Sequence, residues 1–248
     1  MAPPDDRRGA GPEGLNRAAG PAPDDRRGAS PEGLDRAAGP APDDRRGDRP
    51  EGLDRPVAPR PWRRQGSRTA LRDRWIHLRA ESWETPKGVT LDPWWMLDWA
   101  DWVHVVALTP DDRLVLVRQF RPGAQAVTLE LPGGMMEAGE TDPVAAAARE
   151  FTEETGWRAA EWRPVIGLPP EPAHCSNRIH FVLALGCTPA GAQALDAGED
   201  IAVEVLPLAE VLAGLGQGLV QNAMHVGGLL LGLAAAGRLA LAERPAGG

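Results

Sequence analysis

The chain has 248 residues, of which 42% are hydrophobic, and its formal net charge is −8 at pH 7. This length allows one large domain or two small ones. Residues 1–66 hold 13 of the 27 basic residues and 12 of the 35 acidic ones, so the acidic excess lies in residues 67–248. An acidic folded part lacks the basic surface that binds nucleic acid, and we expect no nucleic-acid partner.

The sequence predicts neither a signal peptide nor a membrane span. Its first ten residues, "MAPPDDRRGA", contain no apolar core. The most apolar run, "VGGLLLGLAAAG" between His225 and Arg238, is shorter than the roughly 20 residues that cross a bilayer. We therefore expect a cytoplasmic protein with no membrane partner. Cys175 and Cys187 are interpreted as small buried residues that do not form a disulfide.

A sequence of 19 residues is repeated three times in the first quarter of the chain, beginning at Pro4, Pro23 and Pro42. Each copy has a single leucine among Pro, Gly, Ala and balanced charges. One leucine cannot offset the conformational entropy lost when the other residues are ordered. We predict that residues 1–66 form a disordered tail. A role as a tether or docking tail and a repeat expansion without a specific role both remain open.

Residues 67–242 are expected to form one folded domain, and residues 243–248 a flexible C-terminus. Alternating apolar residues rich in β-formers predict strands, and longer helical patterns are interleaved with them. This distribution predicts an α/β fold, layered α/β/α with a mixed sheet. The predicted strands are 74–83, 94–103, 103–109, 113–120, 126–132, 178–186 and 201–208, and the predicted helices are 143–155, 208–218 and 222–239.

The first of these helices carries the most informative segment, "REFTEETGW". Asp142 followed by Pro143 is typical of a helix start, and Gly156 of a C-terminal cap. Glu150, Glu153 and Glu154 share one face of this helix, because side chains three and four residues apart are neighbours.

Like charges at this spacing repel one another, and a divalent cation reverses the sign of their interaction. The alternative is a solvated acidic face. The preceding loop, "LPGGMMEAGE", adds Glu137 and Glu140 beside a glycine pair. This context favours the metal site.

The segment "GMMEAGETDPVAAAAREFTEETGW" resembles the Nudix hydrolase signature G-x5-E-x7-R-E-U-x-E-E-x-G-U, in which U is a bulky apolar residue. The flanking segments "VRQFRPGAQAVTLELPGG" and "NRIHFVLA" are similar to those of Nudix enzymes acting on ADP-ribose and related nucleotide sugars. The resemblance covers roughly residues 70–235. It implies a Nudix-type α/β/α sandwich with a loop–helix–loop catalytic motif. The matching positions are Gly134, Glu140, Arg149, Glu150, Phe151, Glu153, Glu154, Gly156 and Trp157.

The sequence departs from the signature in one place. Eight residues lie between Glu140 and Arg149, where the family pattern has seven. The extra residue is expected at Thr141, ahead of the helix cap, with a bulge within "AAAA" as the alternative.

The resemblance implies a hydrolase that cleaves the diphosphate of ADP-ribose or a related nucleotide sugar into a nucleoside monophosphate and a sugar phosphate. It implies Mg2+ as the cofactor, with Mn2+ able to substitute, and a homodimer. Hydrolysis of NADH or GDP-mannose, or a non-catalytic nucleotide-binding module, are the alternatives.

The metal ligands implied are the carboxylates of Glu150, Glu153 and Glu154 and the carbonyl of Gly134. Arg149 resembles the family arginine that orients these glutamates.

The general base is expected to be Glu171 or Glu153, because Asn177 occupies the position where related sequences carry an acid. Arg121 and Arg118 are the candidates for contact with the substrate, with Arg121 preferred. Glu130 is expected to be a further metal or structural contact.

Overall fold

The computed structural model describes residues 58–73 and 75–240. The described chain forms a large central sheet, a separate sheet near its N-terminus and three helices. The strands are β1 (Arg63–Arg72), β2 (His77–Glu84), β3 (Thr90–Asp98), β4 (Trp102–Leu108), β5 (Arg113–Arg121), β6 (Ala126–Glu130), β7 (Trp157–Arg158), β8 (Glu161–Leu168), β9 (Ile179–Leu185), β10 (Thr188–Pro189) and β11 (Ile201–Pro207); the helices are α1 (Pro143–Thr155), α2 (Leu208–Leu215) and α3 (Ala223–Ala235).

The central sheet confirms the predicted mixed topology. Its strand order is β11-β5-β4-β9-β8, and β6 pairs with β5. β4 and β9 run parallel, whereas the other neighbouring strands are antiparallel. β7 and β10 form a separate two-stranded pair.

Each face of the central sheet is covered by helix, as the α/β/α prediction requires. On one face, Ala147 and Phe151 of α1 pack against Val105 of β4. On the other face, Val211 of α2 and Leu229 of α3 pack in a cluster with residues of β4, β5 and β9. The alternation of side chains along the strands supplies apolar residues to both layers.

The central sheet is split between β4 and β5. These two strands pair only at Ala107–Val115 and Leu108–Leu114, and β5 then pairs with β6. The chain that follows β6 meets β4 instead. Val105 donates its N–H to the Pro132 carbonyl at 2.8 Å, and Val103 donates to the Gly134 carbonyl at 2.9 Å. The glycine pair therefore lies in the split, beneath α1.

The ends of α1 agree with the prediction. The Asp142 carboxylate accepts the N–H of Val144 at 2.9 Å, and Pro143 is the first helical residue. At the other end Gly156 has φ 69°, and its N–H donates to the Thr152 carbonyl at 2.9 Å. A left-handed residue here favours glycine, because a Cβ would be strained in that conformation.

The N-terminal sheet, in the order β1-β2-β3, was not predicted as a separate unit. β1 begins at Arg63, so the predicted limit of the disordered tail at residue 66 is wrong for its last four residues. Every residue of β1 is exposed, and its sequence "RRQGSRTALR" lacks an alternating apolar pattern. Its order comes from antiparallel pairing with β2. Residues 58–62 of the predicted tail are described and form neither helix nor strand. Residues 1–57 and the predicted flexible residues 243–248 lie outside the described residues.

An ionic cluster around Arg79 of β2 reaches β3 through Asp98. Arg79 donates to both carboxylate oxygens of Asp98, at 2.6 and 2.8 Å, and also pairs with Glu81. Trp83 donates its indole N–H to Glu81 at 2.9 Å. Glu81 and Asp98 lie on different strands, and no local sequence pattern links them. The sequence therefore did not identify this cluster.

β8 was missed as well. Its sequence, "EWRPVIGL", contains Pro164 and Gly167, which weaken the strand signal. The strand forms because it lies at the edge of the sheet and pairs with β9, with an irregularity between Pro164 and Ile166. Proline is tolerated at such edges, since no second neighbour needs its missing N–H.

Cys175 and Cys187 are both free thiols. Cys187 is buried in the layer beneath α1, and Cys175 is half-buried. The interpretation as a small buried residue holds for Cys187, whereas Cys175 is only partly buried.

The apolar segment near the C-terminus forms α3, which packs closely on the central sheet. Gly228 faces the Phe181 ring, and a Cβ built at Gly228 would lie 2.0 Å from Cε1 of that ring. Gly232 approaches Val106 in the same way, with a Cβ 2.6 Å from Cγ2. Within the described chain, no helix has the length and hydropathy needed to cross a membrane.

The two adjacent glycines of α3 give a matched test of this contact. We expect Gly228→Ala to lower the free energy of unfolding by about 1–3 kcal/mol, because the buried Phe181 ring must move. Gly227→Ala should raise the free energy of unfolding by about 0.5–1 kcal/mol. A Cβ built at Gly227 would meet no atom within 4 Å outside its own stretch of helix, and alanine favours a helix. Urea denaturation measures both changes. Equal effects of the two substitutions would contradict the close approach.

Candidate active site

The acidic face of α1 lies against the glycine pair that follows β6. Glu150 and Glu154 are 8% and 4% exposed. The N–H of Gly133 donates to Oε2 of Glu154 at 2.7 Å. A Cβ built at Gly134 would lie 2.5 Å from Oε2 of Glu150, so only glycine lets the backbone approach this carboxylate.

Arg149 connects three carboxylates from the outer side of α1. Its Nη1 donates to Oε1 of Glu150 at 2.7 Å and to Oε2 of Glu153 at 3.1 Å. Its Nε and Nη2 donate to the two oxygens of Glu140, both at 3.1 Å. The planar guanidinium has five N–H donors in a fixed fork, which is what a bridge between several carboxylates requires.

Burial is the largest influence on the pKa values of Glu150 and Glu154. It raises the pKa of Glu154 to about 8, against the opposing effect of the Gly133 N–H. Burial also raises the pKa of Glu150, against the opposing effect of Arg149. The charge of Glu199 adds to the increase at both residues. A proton or a cation therefore accompanies Glu154 near neutral pH.

The carboxylates are compatible with a hard divalent cation. Glu150, Glu154 and the Gly134 carbonyl offer oxygen atoms around one point of the loop, and the carbonyl keeps a second lone pair beyond its bond with Val103. Mg2+ suits such a set, because it takes one or two carboxylates and keeps several waters.

Glu153 shares Nη1 of Arg149 with Glu150. In the described part of the chain no three His, Cys, Asp or Glu side chains are grouped as a preformed metal site.

Arg121 and Glu130 lie on the same face of the sheet as α1. Arg121 Nη2 donates to Oε2 of Glu130 at 2.6 Å, and Thr128 donates to Oε1 of the same carboxylate at 2.6 Å. Glu130 is 1% exposed. Its buried carboxylate therefore fixes the position of the Arg121 guanidinium through their hydrogen bonds. The charge of Arg121 lowers the pKa of Glu154, which puts this cation within electrostatic reach of the glutamates.

Arg118 lies on the opposite face from Arg121. It pairs with Glu204 of β11 in the layer covered by α2 and α3. An odd separation along a strand places the two arginines on opposite faces. The structure does not bring Arg118 to the glutamates of α1.

Glu171 lies on the segment between β8 and β9. Its carboxylate accepts the N–H of Ala173 at 3.1 Å. Trp94 of β3 donates to the Ala173 carbonyl at 2.9 Å, and Leu97 to the His174 carbonyl at 2.7 Å. The N-terminal sheet therefore sets the position of this segment. Among the described residues, no hydrogen bond or ion pair joins Glu171 to the glutamates of α1.

Asn177, where an acid was anticipated, is buried. Its Nδ2 donates to the Ala100 carbonyl at 3.2 Å, and its Oδ1 has no partner among the described residues. A neutral amide cannot accept a proton as a carboxylate does.

A NUDIX domain profile matches residues 100–222, which include the glycine pair, α1 and Glu171. Residues 100–222 of this chain are a Nudix domain. The resemblance to the Nudix family is thus confirmed, as is the α/β/α fold.

Curated proteins with similar sequences include three bacterial and mammalian examples. The methanol dehydrogenase activator of Bacillus methanolicus is 33% identical over 44% of this chain and 60% of that protein. The ADP-sugar pyrophosphatase of Mus musculus is 35% identical over 44% and 50%. The ADP-ribose pyrophosphatase of Bacillus subtilis is 33% identical over 33% and 44%. The chain thus spans between 44 and 60% of the length of these relatives.

A crystal structure described as an ADP compounds hydrolase has the same fold. The TM-score is 0.64 at 23% sequence identity, and the match covers 74% of this chain and all of the other chain. At this identity the likeness concerns the fold.

The extra residue of this Nudix motif is accommodated ahead of the helix. α1 is regular α-helix through "AAAA", so the alternative of a bulge there is wrong. A turn precedes the helix, with the Glu140 N–H donating to the Glu137 carbonyl at 3.0 Å. Glu140 still reaches Arg149 with both oxygens.

Sequence reasoning missed two contributors to the Nudix site. The Gly133 N–H, which binds Glu154, is a backbone group, and only the "PGG" run marked the position. Glu199 is 45 residues beyond Glu154 in the sequence, and no local pattern connects them. Gln193 secures the intervening segment, since its Nε2 donates to the Glu154 carbonyl at 2.6 Å and to the Ile201 carbonyl at 2.9 Å.

The raised pKa of Glu154 makes the stability of the metal-free protein dependent on pH. The folded-state pKa, about 8, lies above the ordinary value of 4.5, so the contribution is fully present below pH 4.5 and is lost as the pH rises through 8. We expect Glu154→Gln, which retains an acceptor oxygen, to be more stable than wild type by about 2–5 kcal/mol at pH 8 in EDTA. The difference should vanish near pH 4.5.

Chemical denaturation in EDTA at several pH values measures this difference. Mg2+ should stabilise the wild type at pH 8 and have little effect on Glu154→Gln. A difference that is the same at every pH would contradict the burial of an ionisable Glu154.

Proposed function

We propose that the chain is a metal-dependent hydrolase that cleaves the diphosphate of ADP-ribose or a related nucleotide sugar, releasing a nucleoside monophosphate and a sugar phosphate. The observation that carries this proposal is the pair of buried carboxylates, Glu150 and Glu154, held against the backbone of Gly133 and Gly134. The described activities of the mouse and Bacillus subtilis relatives, on ADP-sugars and ADP-ribose, support the substrate class.

Glu150 and Glu154 with the Gly134 carbonyl would hold Mg2+, for which Mn2+ can substitute, and Glu153 would join at a second ion. When bound, the metal neutralises the diphosphate and lowers the pKa of an attacking water. Arg149 links Glu150 and Glu153 through one nitrogen, Nη1, and so orients both carboxylates. Because Glu154 is protonated near neutral pH in the metal-free protein, loading the site releases a proton from this residue.

Arg121 binds the phosphates or terminal sugar of the substrate. Its side chain is about a third exposed and is oriented by the buried Glu130, so the charge is directed before the substrate arrives. Preorganised charge of this kind stabilises a transition state without further rearrangement. Glu130 is therefore a positioning residue. Arg118 has no place in this proposal, because it faces the other layer.

Glu171 is the proposed general base, with Glu153 as the alternative. Support for Glu171 comes from the attachment of its segment to β3, which fixes the backbone on either side of Ala173. The neutral Asn177 cannot fill this role.

The proposed catalytic unit is the Nudix domain at residues 67–242, and the proposed location is the cytoplasm. We also propose a homodimer in which a second copy covers the N-terminal sheet, since Leu71 and Trp95 on this sheet and Trp62 just before it are exposed. Light scattering would reject the dimer if it gave the mass of one chain at micromolar concentration.

The first experiment is turnover of a panel containing ADP-ribose, ADP-glucose, GDP-mannose, NADH and a nucleoside triphosphate, with Mg2+ and with EDTA. We expect ADP-ribose or an ADP-sugar to be cleaved fastest, with no turnover in EDTA. Glu154→Gln should lower kcat by at least about 100-fold, because it removes a charged ligand of the metal. Deletion of residues 1–57 should leave the rates unchanged.

Two arginine substitutions test the role of Arg121 in the same assay, one as the test and one as its control. Arg121→Lys should raise KM by about 10-fold, because lysine cannot bind both Glu130 and a phosphate in the same planar geometry. Arg118→Lys on the opposite face should leave kcat and KM unchanged. Tight nucleotide binding without turnover of any substrate would instead identify a non-catalytic binding module.

A further inference from the structure

His225 of α3 contacts the segment Leu131–Gly134, which includes the proposed metal ligand Gly134, from the far side of the central sheet. Its Nδ1 accepts the N–H of Leu131 at 3.0 Å, and the histidine is 1% exposed. Leu131 follows β6 directly and is itself buried. α1, with the glutamates, lies on the opposite face.

Leu131 is the first of four consecutive residues that are each fixed by one hydrogen bond. Two of these bonds tie the segment to β4, one ties it to α1 and one ties it to α3. They are Leu131 N–H to His225, Val105 N–H to Pro132 O, Gly133 N–H to Glu154, and Val103 N–H to Gly134 O.

The His225 ring is suited to a permanent acceptor role. An Nδ1 that accepts an N–H carries no proton, so the proton of the neutral ring is on Nε2. Burial, together with the charge of Arg121, lowers the pKa of His225 to about 3. The ring is therefore neutral at any pH at which the enzyme would work.

The neighbouring His104 of β4 provides a contrast within the same cluster. The two histidine rings are 4.2 Å apart between centroids, and His104 also lies near the rings of Trp102 and Phe181. His104 is 3% exposed, and its Nδ1 has no hydrogen-bond partner among the described residues. It is buried beside His225 but makes no side-chain hydrogen bond to residues 131–134 among the described residues.

We propose that His225 is a positioning residue for the metal site, which fixes the Leu131–Gly134 segment so that the Gly134 carbonyl and the Gly133 N–H meet the glutamates of α1. The inference rests on the proposed function only for the identity of the metal ligands. Without an acceptor at residue 225, the buried N–H of Leu131 must move to find another partner. Gly133 and Gly134 follow within two to three residues, so the movement reaches the carboxylates.

The test compares three variants of the full chain by the dissociation constant for Mn2+, measured by electron paramagnetic resonance. His225→Leu keeps the apolar volume and removes the acceptor, and we expect it to weaken Mn2+ binding by about 10-fold or more. His225→Asn places an amide oxygen near the position of Nδ1 and should restore binding to within about 3-fold of wild type. His104→Leu removes a histidine that has no bond to the loop and should bind Mn2+ as the wild type does.

Turnover measured as a function of Mn2+ concentration gives a second readout. A positioning role predicts that the Mn2+ concentration for half-maximal rate rises in His225→Leu by a larger factor than kcat at saturating Mn2+ falls. Wild-type affinity in His225→Leu, or no recovery in His225→Asn, would overturn the inference. Should His225→Leu not fold, the 15N shift of His225 in the wild type decides, because a protonated Nδ1 at pH 7 contradicts the bond to Leu131.

These outcomes separate the inference from the proposed function. A wild-type chain that binds Mn2+ but cleaves no member of the panel rejects the proposed activity and leaves the comparison of variants valid. A wild-type chain that binds no Mn2+ rejects the metal ligands and the inference together.

Discussion

The site depends on one unfavourable arrangement, the burial of two neighbouring carboxylates beneath a helix. Ionised carboxylates lose hydration when they are buried, and their mutual repulsion grows where water cannot screen it. Arg149 offsets part of this cost at Glu150, and the Gly133 N–H offsets part of it at Glu154. The raised pKa values show that these two contacts do not compensate fully. A protein that retains such a pair has a use for the cation that completes it.

The split in the central sheet is what gives the carboxylates a backbone to bind. Where β5 leaves β4, the residues after β6 fill the gap and carry Gly133 and Gly134 under α1. A continuous sheet would engage these backbone groups with a neighbouring strand and leave none for Glu154. Both helical layers therefore act on one short segment, α1 through Glu154 and α3 through His225.

Much of this fold could be predicted from the sequence, because α1 and the central strands combine a strong periodic pattern with clear caps. Asp142, Pro143 and Gly156 marked the helix to the residue. β1 escaped prediction because its order comes from pairing with β2, and β8 because Pro164 and Gly167 are acceptable only at a sheet edge. These are tertiary effects, which local propensity does not encode.

The candidate site was predictable to the same extent and for the same reason. Spacing identified Glu150, Glu153 and Glu154, because their proximity is a property of the helix. Spacing also separates Arg118 from Arg121, since three residues along a strand reverse the face, but only the sheet shows which face meets α1. The partnership of Arg121 with Glu130 and the reach of Glu199 depend on which strands are adjacent, and no local pattern contains that information.

The tolerance of the extra residue before α1 follows from the chemistry of arginine. A lysine at position 149 would be a single point charge, and a shifted Glu140 would lose its contact. The guanidinium presents one edge to Glu140 and another donor to Glu150 and Glu153, so the loop can lengthen while the helix side of the contact stays fixed. The length of the loop and the geometry of the buried carboxylates are thereby made independent. Glu140 therefore keeps both contacts with Arg149 although the loop is one residue longer than the signature.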